Sequence, residues 1–393
     1  MISGSRTLTE LDATPIRPSS HPDGFITQSL GLALNRPIKR LNSIEAARGF
    51  AALLVVLYHA TVVLALPKYL GISALGGLFN FGHAGVDFFF VLSGFIIFYV
   101  HSGDIGLPAR RLTYFWRRFS RIYPTYWVAC IVILAAFAAG FGAIPSVGKI
   151  FSDLLLVPYG VEEPFVGVAW SLEHEVLFYV LFGILIWQPT IGVCLFGLWL
   201  LGIVAAAAGM IGGPYPVWFV FHPNNMEFFF GIAGTFVVAR SALSRPGLVA
   251  IVGILAFLSF GLLEDVLDPL GGTYVITWRV AYGLSAAVVI TGLAQYERAS
   301  GAAVPASLVF LGAASYAIYL THQMIMSLIS REFLHAGLDK LVSGSVIWLV
   351  LVLLSLVLSV LFYLAVDRPL GQRLHGRVGK SSRHRPTALP TVN

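Results

Sequence analysis

Residues 344–366, GSVIWLVLVLLSLVLSVLFYLAV, form a run of 23 residues without a single charge. As a helix it would be about 34 Å long, enough to cross a hydrocarbon core of roughly 30 Å with some tilt. A chain containing such a run must bury it in lipid, and it is not alone. Nine further apolar stretches lie at roughly 44–66, 83–100, 122–142, 170–187, 190–209, 222–239, 247–263, 273–294 and 304–330. The fourth and fifth are separated only by Gln188 and Pro189. Only 11% of the residues are charged and 57% are hydrophobic, whereas a water-soluble chain usually carries about a quarter charged residues. The expected fold is therefore an all-α, polytopic integral membrane protein of about ten transmembrane helices joined by short loops.

Charge placement predicts orientation. Of the 25 Lys and Arg residues, nineteen fall in the two tails and the loops on one side, and only Lys68, Lys149, Arg331 and Lys340 fall on the other. Arg48 and Arg279 lie inside spans. By the positive-inside rule both termini are cytoplasmic, and the net charge of +6 reflects topology and not nucleic-acid binding. The division expected is a disordered cytoplasmic tail over 1–43, with no cleaved signal, a membrane domain over 44–370 and a basic cytoplasmic tail over 371–393. Cys130 and Cys194 sit in apolar runs without a CxxC or Cys/His cluster, so no disulfide framework and no metal site is expected.

Ionisable groups inside spans cost a few kcal/mol each on insertion scales and mark functional candidates. In the first span Arg48 and His59 are eleven residues apart, about 20° past three full turns, so they share one face some 16 Å apart. The structural alternatives are a snorkelling anchor for Arg48 and a histidine hydrogen-bonded between helices for His59. In FGHAGVDFFFVLSGF, His83 and Asp87 stand at i and i+4, also the spacing of a structural pair. Glu173 and Glu175 enter with AWSLEHEVLFY, Glu227 follows His222 and two asparagines, and Arg279 starts the eighth span. Ser315, Tyr319 and His322 make an i, i+4, i+7 stripe in the ninth, where Tyr319 reads first as a packing residue. By this topology His59, Asp87, Glu175, Glu227, Arg279 and His322 all fall in the outer half, which predicts one polar cavity opening outward. Arg117, Arg118 and Arg121 gather at the inner mouth of the third span. They suit either topogenic charge or an anionic, nucleotide-like group.

Taken in order, Arg-x10-His, HAGVDFFFVLSGF, RRFSRIYP, WSLEHEVLFY, NNMEFFFG and LGAASYAIYLTH resemble the acyltransferase 3 family of integral-membrane O-acyltransferases. The likeness spans about residues 41–370 and is strongest to its exopolysaccharide-production (ExoZ-type) branch. The resemblance implies transfer of an acetyl or other acyl group from acyl-CoA to a sugar hydroxyl of an exopolysaccharide, lipid-linked oligosaccharide or related glycan. It implies a bacterial inner membrane, no permanently bound cofactor, and possible work beside polysaccharide-synthesis machinery. Position by position, the family's essential Arg and His match Arg48 and His59, its CoA-side arginines match Arg118 and Arg121, and its WSL-x-x-E glutamate matches Glu175. One departure is Asp367 before Arg368 and Pro369, where members often carry Glu; Asp367 is left out of the expected site.

On that footing His59 is expected to act as general base, with Glu175 or Asp87 orienting its imidazole and Arg48 holding the donor or steadying its helix. Tyr319, His322 or a backbone amide would stabilise the negative charge that builds on the thioester oxygen. His83, Glu227 and Arg279 are further acceptor or transition-state candidates. The competing class is a proton-coupled transporter or flippase of a polysaccharide pathway, which also needs intramembrane acids and histidines; a non-catalytic membrane subunit is the third.

Overall fold

The computed structural model describes residues 41–72, 74–267 and 276–381. Most of both expected tails and the start of the eighth apolar stretch lie outside the described residues. The described chain is helical: α1 (Asn42–Ala65), α2 (Gly85–His101), α3 (Arg111–Ala136), the short α4 (Val147–Leu154), α5 (Trp170–Trp187), α6 (Pro189–Ala207), α7 (Met226–Arg240), α8 (Pro246–Leu267), α9 (Ile276–Ser300), α10 (Ala306–His335), α11 (Gly344–Phe362) and α12 (Arg368–Ser381).

Each of the ten apolar stretches has become a helix, and nine helical segments among the described residues are long and apolar enough to cross a membrane. The sixth stretch is the exception. Its helix, α7, has 15 residues, about 22 Å at 1.5 Å per residue, short of a roughly 30 Å core. The preceding chain is spent on short turns at Val217–Val220 and Pro223–Asn225.

Side-chain contacts fix the relative directions. The start of α1 meets the end of α9, where the Glu297 carboxylate accepts from the Asn42 and Ser43 amides at 3.0 and 2.8 Å. An anion at a helix N-terminus offsets both the orphan donors and the helix dipole. The end of α7 meets the same region, since Gln295 bonds the Ser241 carbonyl and the Leu243 amide. At the opposite end Asp87, Glu227 and Arg279 draw together the starts of α2, α7 and α9.

The span containing α2 is the most enclosed, with 72% of its apolar window buried, whereas α6, α8 and the span of α11 bury only 22%. The former is the centre of the bundle and the latter three present Leu, Val and Ile outward, as a lipid-facing helix should. Central helices approach closely through glycine. A Cβ on Gly231 of α7 would lie 1.9 Å from the Val91 carbonyl of α2, and one on Gly312 of α10 1.8 Å from the Glu45 carbonyl of α1.

The connection into α5 folds back into the bundle instead of staying at the surface. Asp153 of α4 anchors it, accepting from Lys149 at 2.7 Å and from the Phe165 amide at 2.8 Å. Gly167 then packs against Gln323, and the Val168 carbonyl accepts from Tyr319, both on α10. Helix α5 thus begins level with the middle of α10.

Candidate active site

Two polar cavities lie along the face that α1 and α10 share. The first, about 280 Å³, is lined by Arg48, Arg117, Arg118, Arg121, Glu175, Tyr179, Tyr316 and Tyr319, with Ser93, Ser171 and Ser315 between them. Arg117 is exposed while Arg48, Arg118 and Arg121 are half-buried, so the basic lining runs from mouth to interior. Aromatic rings hold two of the guanidinium groups: Arg118 lies 5.7 Å from the Tyr179 centroid and Arg121 5.1 Å from that of Tyr316. Arg48 pairs with Glu45 at 3.3 Å. Glu175 accepts from Ser93 at 2.8 Å and Tyr179 at 2.5 Å. The buried Arg118 Nε has no hydrogen-bond partner among the described residues. Four guanidinium groups against so few acids favour an anion with several oxygens, a phosphate or pyrophosphate above all.

The second cavity, about 380 Å³, is lined by Tyr58, His59, His83, Glu163, Trp170, Glu264, Arg279, Tyr319 and Gln323. It combines aromatic faces with carboxylate, amide and guanidinium groups. That mixture offers stacking and paired donors and acceptors, which is what a polyhydroxylated ring requires. Its far wall is an ion-pair network. Arg279 meets Asp87 at 2.5 Å, His83 meets Glu264 at 3.2 Å, and the Tyr282 hydroxyl also donates to Glu264. Glu227 is fully buried beside Asp87 and Arg279.

Val86 and Tyr319 line both cavities. Along α10, Tyr316 faces the arginine cluster, Tyr319 stands at the common wall, and His322 packs against His59. Six residues of helix from Tyr316 to His322 put these levels about 9 Å apart. Such a separation lets a group bound by the arginines extend past Tyr319 toward the histidine.

Several expectations are corrected. The expected residues do not share one cavity: among the described residues Glu175 lines the cavity of the arginines, and His59 and Arg279 line the other. The cause is the buried start of α5, which carries residue 175 deeper than a helix starting at the surface would. Neither Glu175 nor Asp87 is found on the His59 ring; its Nδ1 faces the Val55 carbonyl at 3.0 Å and His322 Nε2 at 3.1 Å. His83 does not pair with Asp87. Residues Asn80–Ala84 form a 3-10 turn, so the i, i+4 helical geometry fails and His83 turns to Glu264 of α8. Asp367, kept out of the expected site, accepts from Thr125 at 2.7 Å. Sequence reasoning missed Glu264, Glu163 and Gln323. Glu264 had one signal: with Asp265 it places acids in the last turn of an otherwise apolar span ending on the same side as His83.

The fold and these cavities define a polytopic helical membrane protein with a basic chamber set against a histidine-bearing one. The acyltransferase domain family matches residues 41–364, and the chain belongs to this acyltransferase 3 family; it is an O-acyltransferase of the membrane. The exopolysaccharide production protein ExoZ of Rhizobium meliloti (strain 1021) is 29% identical over 327 residues, covering 77% of this chain and 93% of its own. The acyltransferase MdmB of Streptomyces mycarofaciens is 28% identical over 380 residues, covering 86% and 94% respectively. No solved structure matches the chain.

Proposed function

We propose that the protein transfers an acyl group, acetyl first among them, from acyl-CoA to a hydroxyl of an exopolysaccharide, a lipid-linked oligosaccharide or a related glycan at a bacterial inner membrane. The carrying observation is the common wall: the arginine cavity and the histidine cavity meet at Tyr319. Acyl-CoA phosphates pair with Arg117, Arg118 and Arg121, and the pantetheine arm carries the thioester past Tyr319. Arg48 steadies the donor from the far side of the cavity. The glycan occupies the histidine cavity, with Trp170 and Tyr58 as apolar faces and His83, Glu264, Arg279 and Gln323 as hydroxyl partners. Asp87 and Glu227 hold Arg279 from behind.

His59 serves as general base. Its Nε2 takes the hydroxyl proton while the oxygen attacks the thioester carbonyl; a C–O bond forms, the C–S bond breaks, and the proton passes to the sulfur of departing CoA. Tyr319, whose side chain lines both cavities, supplies a hydroxyl for the developing oxyanion. Nineteen basic residues on the two tails and the adjoining loops support a cytoplasmic arginine cavity and cytoplasmic termini, with α7 and the turns before it as the tenth crossing. The family membership and the names of both relatives support acyl transfer over transport.

The test uses polysaccharide isolated from a strain lacking this protein as acceptor and acetyl-CoA as donor. The purified protein is expected to release CoA thiol and form alkali-labile acetyl esters. His59→Ala should abolish both without loss of the folded protein. Ester formation at the wild-type rate by a folded His59→Ala variant contradicts the mechanism.

A further inference from the structure

The two histidines that meet across α1 and α10 are chemically unequal. His322 Nδ1 lies 2.8 Å from the Ile318 carbonyl. A carbonyl oxygen only accepts, so this nitrogen carries the ring proton and donates it. The Nε2 of a neutral His322 is then a bare lone pair, and it lies 3.1 Å from His59 Nδ1. His59 Nδ1 also faces the Val55 carbonyl at 3.0 Å, a second pure acceptor. Both neighbours of that atom therefore accept, which fixes the proton of neutral His59 on Nδ1. His59 Nε2 is left as the basic nitrogen, on a ring that lines the histidine cavity.

We infer that His322 is a positioning residue for the transfer, its Nε2 lone pair holding the Nδ1–H of His59 and stabilising the imidazolium that forms when His59 accepts the hydroxyl proton. Val55 alone keeps the tautomer, but a backbone carbonyl is one fixed acceptor. When His59 becomes charged its Nδ1–H bonds strengthen, and a charge-assisted bond is roughly twice as strong as a neutral one. His322 is fully buried and packed edge-on against the His59 ring at 4.9 Å between centroids, so little motion is needed to answer the new charge. The titratable and charged groups from other elements that line the same cavity as His59 are His83, Glu163, Glu264, Arg279 and Tyr319. Among the described residues, His59 Nδ1 is contacted by the Val55 carbonyl and His322 Nε2. The role resembles that of the third member of a catalytic triad, filled by a neutral ring instead of a carboxylate.

The inference rests on His59 acting as base, and the two fail separately. With acetyl-CoA and polysaccharide from the deletion strain, His322→Phe removes the lone pair while keeping a ring. It should lower kcat on the order of 10- to 100-fold, the worth of one hydrogen bond to a charged group, with KM for acetyl-CoA changed by about twofold or less. His322→Gln restores an acceptor oxygen near the Nε2 position and should return kcat to within about fivefold of wild type. His322→Leu replaces Phe in the comparison if the Phe variant misassembles. Adding His322→Phe to His59→Gln should cost little beyond the His59 change alone. A folded Phe or Leu variant with wild-type kcat overturns the inference, as does a Gln variant as slow as Phe. Should His59→Ala itself stay active, the base reading falls instead.

Discussion

The Tyr319 hydroxyl lies 2.7 Å from Ser171 Oγ, and both residues stand where the arginine cavity ends. Each hydroxyl also reaches the Val168 carbonyl, at 3.2 and 3.1 Å. This small network stands between the arginine cavity and the histidine cavity, a partition made of side chains that can move, where a helix would have sealed one from the other outright.

Shortening the barrier should uncouple the reaction. In Tyr319→Ala the two cavities join and water gains access to the thioester. Acyl-CoA hydrolysis without acceptor is expected to rise while ester formation falls. Thiol release measured with and without polysaccharide checks this; unchanged acceptor-free hydrolysis would argue against Tyr319 as the partition.

Arg118 and Arg121 are held by ring faces, and the buried Arg118 Nε has no hydrogen-bond partner among the described residues. Replacing both with Ala should raise KM for acetyl-CoA on the order of 10- to 100-fold, as loss of charge-assisted phosphate bonds predicts. KM for the polysaccharide should hardly move. Equal effects on the two substrates would mean that the pair supports the bundle and not the donor.

The Arg279–Asp87 pair is buried at both ends, with Asp87 inaccessible. Removing one partner strands a charge among helices, at a cost of about 3–5 kcal/mol. Arg279→Met alone should therefore unfold in detergent at clearly lower temperature, and Arg279→Met with Asp87→Leu should recover part of the loss. A single mutant as stable as wild type would show that lipid or water already compensates the charge.

Gly231 permits α7 to rest on the α2 backbone. Gly231→Val should destabilise by at least the 1–3 kcal/mol of an overpacked core, read as reduced yield of monodisperse protein, while Gly197→Val, where a Cβ meets open space, should be neutral. Equal tolerance at the two sites would remove close packing as the reason for glycine at 231.

The apolar stretches are legible in sequence because hydropathy is a local property and each helix satisfies its own backbone. The facing of Arg48 and His59 is legible for the same reason, since helical periodicity alone sets it. The depth of Glu175 is not, because it depends on how far the segment before α5 folds into the bundle, which Asp153, Gly167 and Tyr319 decide jointly. The pairing of His83 with Glu264 is hidden too: a 3-10 turn redirects the ring, and the partner is 181 residues away. The bond between His59 and His322 joins two spans whose register is set by Gly49 and Gly312, so no local pattern announces it.

In the proposed reaction donor and acceptor enter from opposite sides of the membrane and meet near His59. Sealed membrane vesicles of known orientation test it, with acetyl-CoA supplied only at the cytoplasmic face and a membrane-impermeant polysaccharide only at the outer face. Acetyl ester is expected on the outer polysaccharide and should be lost with His59→Ala. Absence of product in that arrangement, together with product when both substrates are confined to the cytoplasmic side, would contradict it.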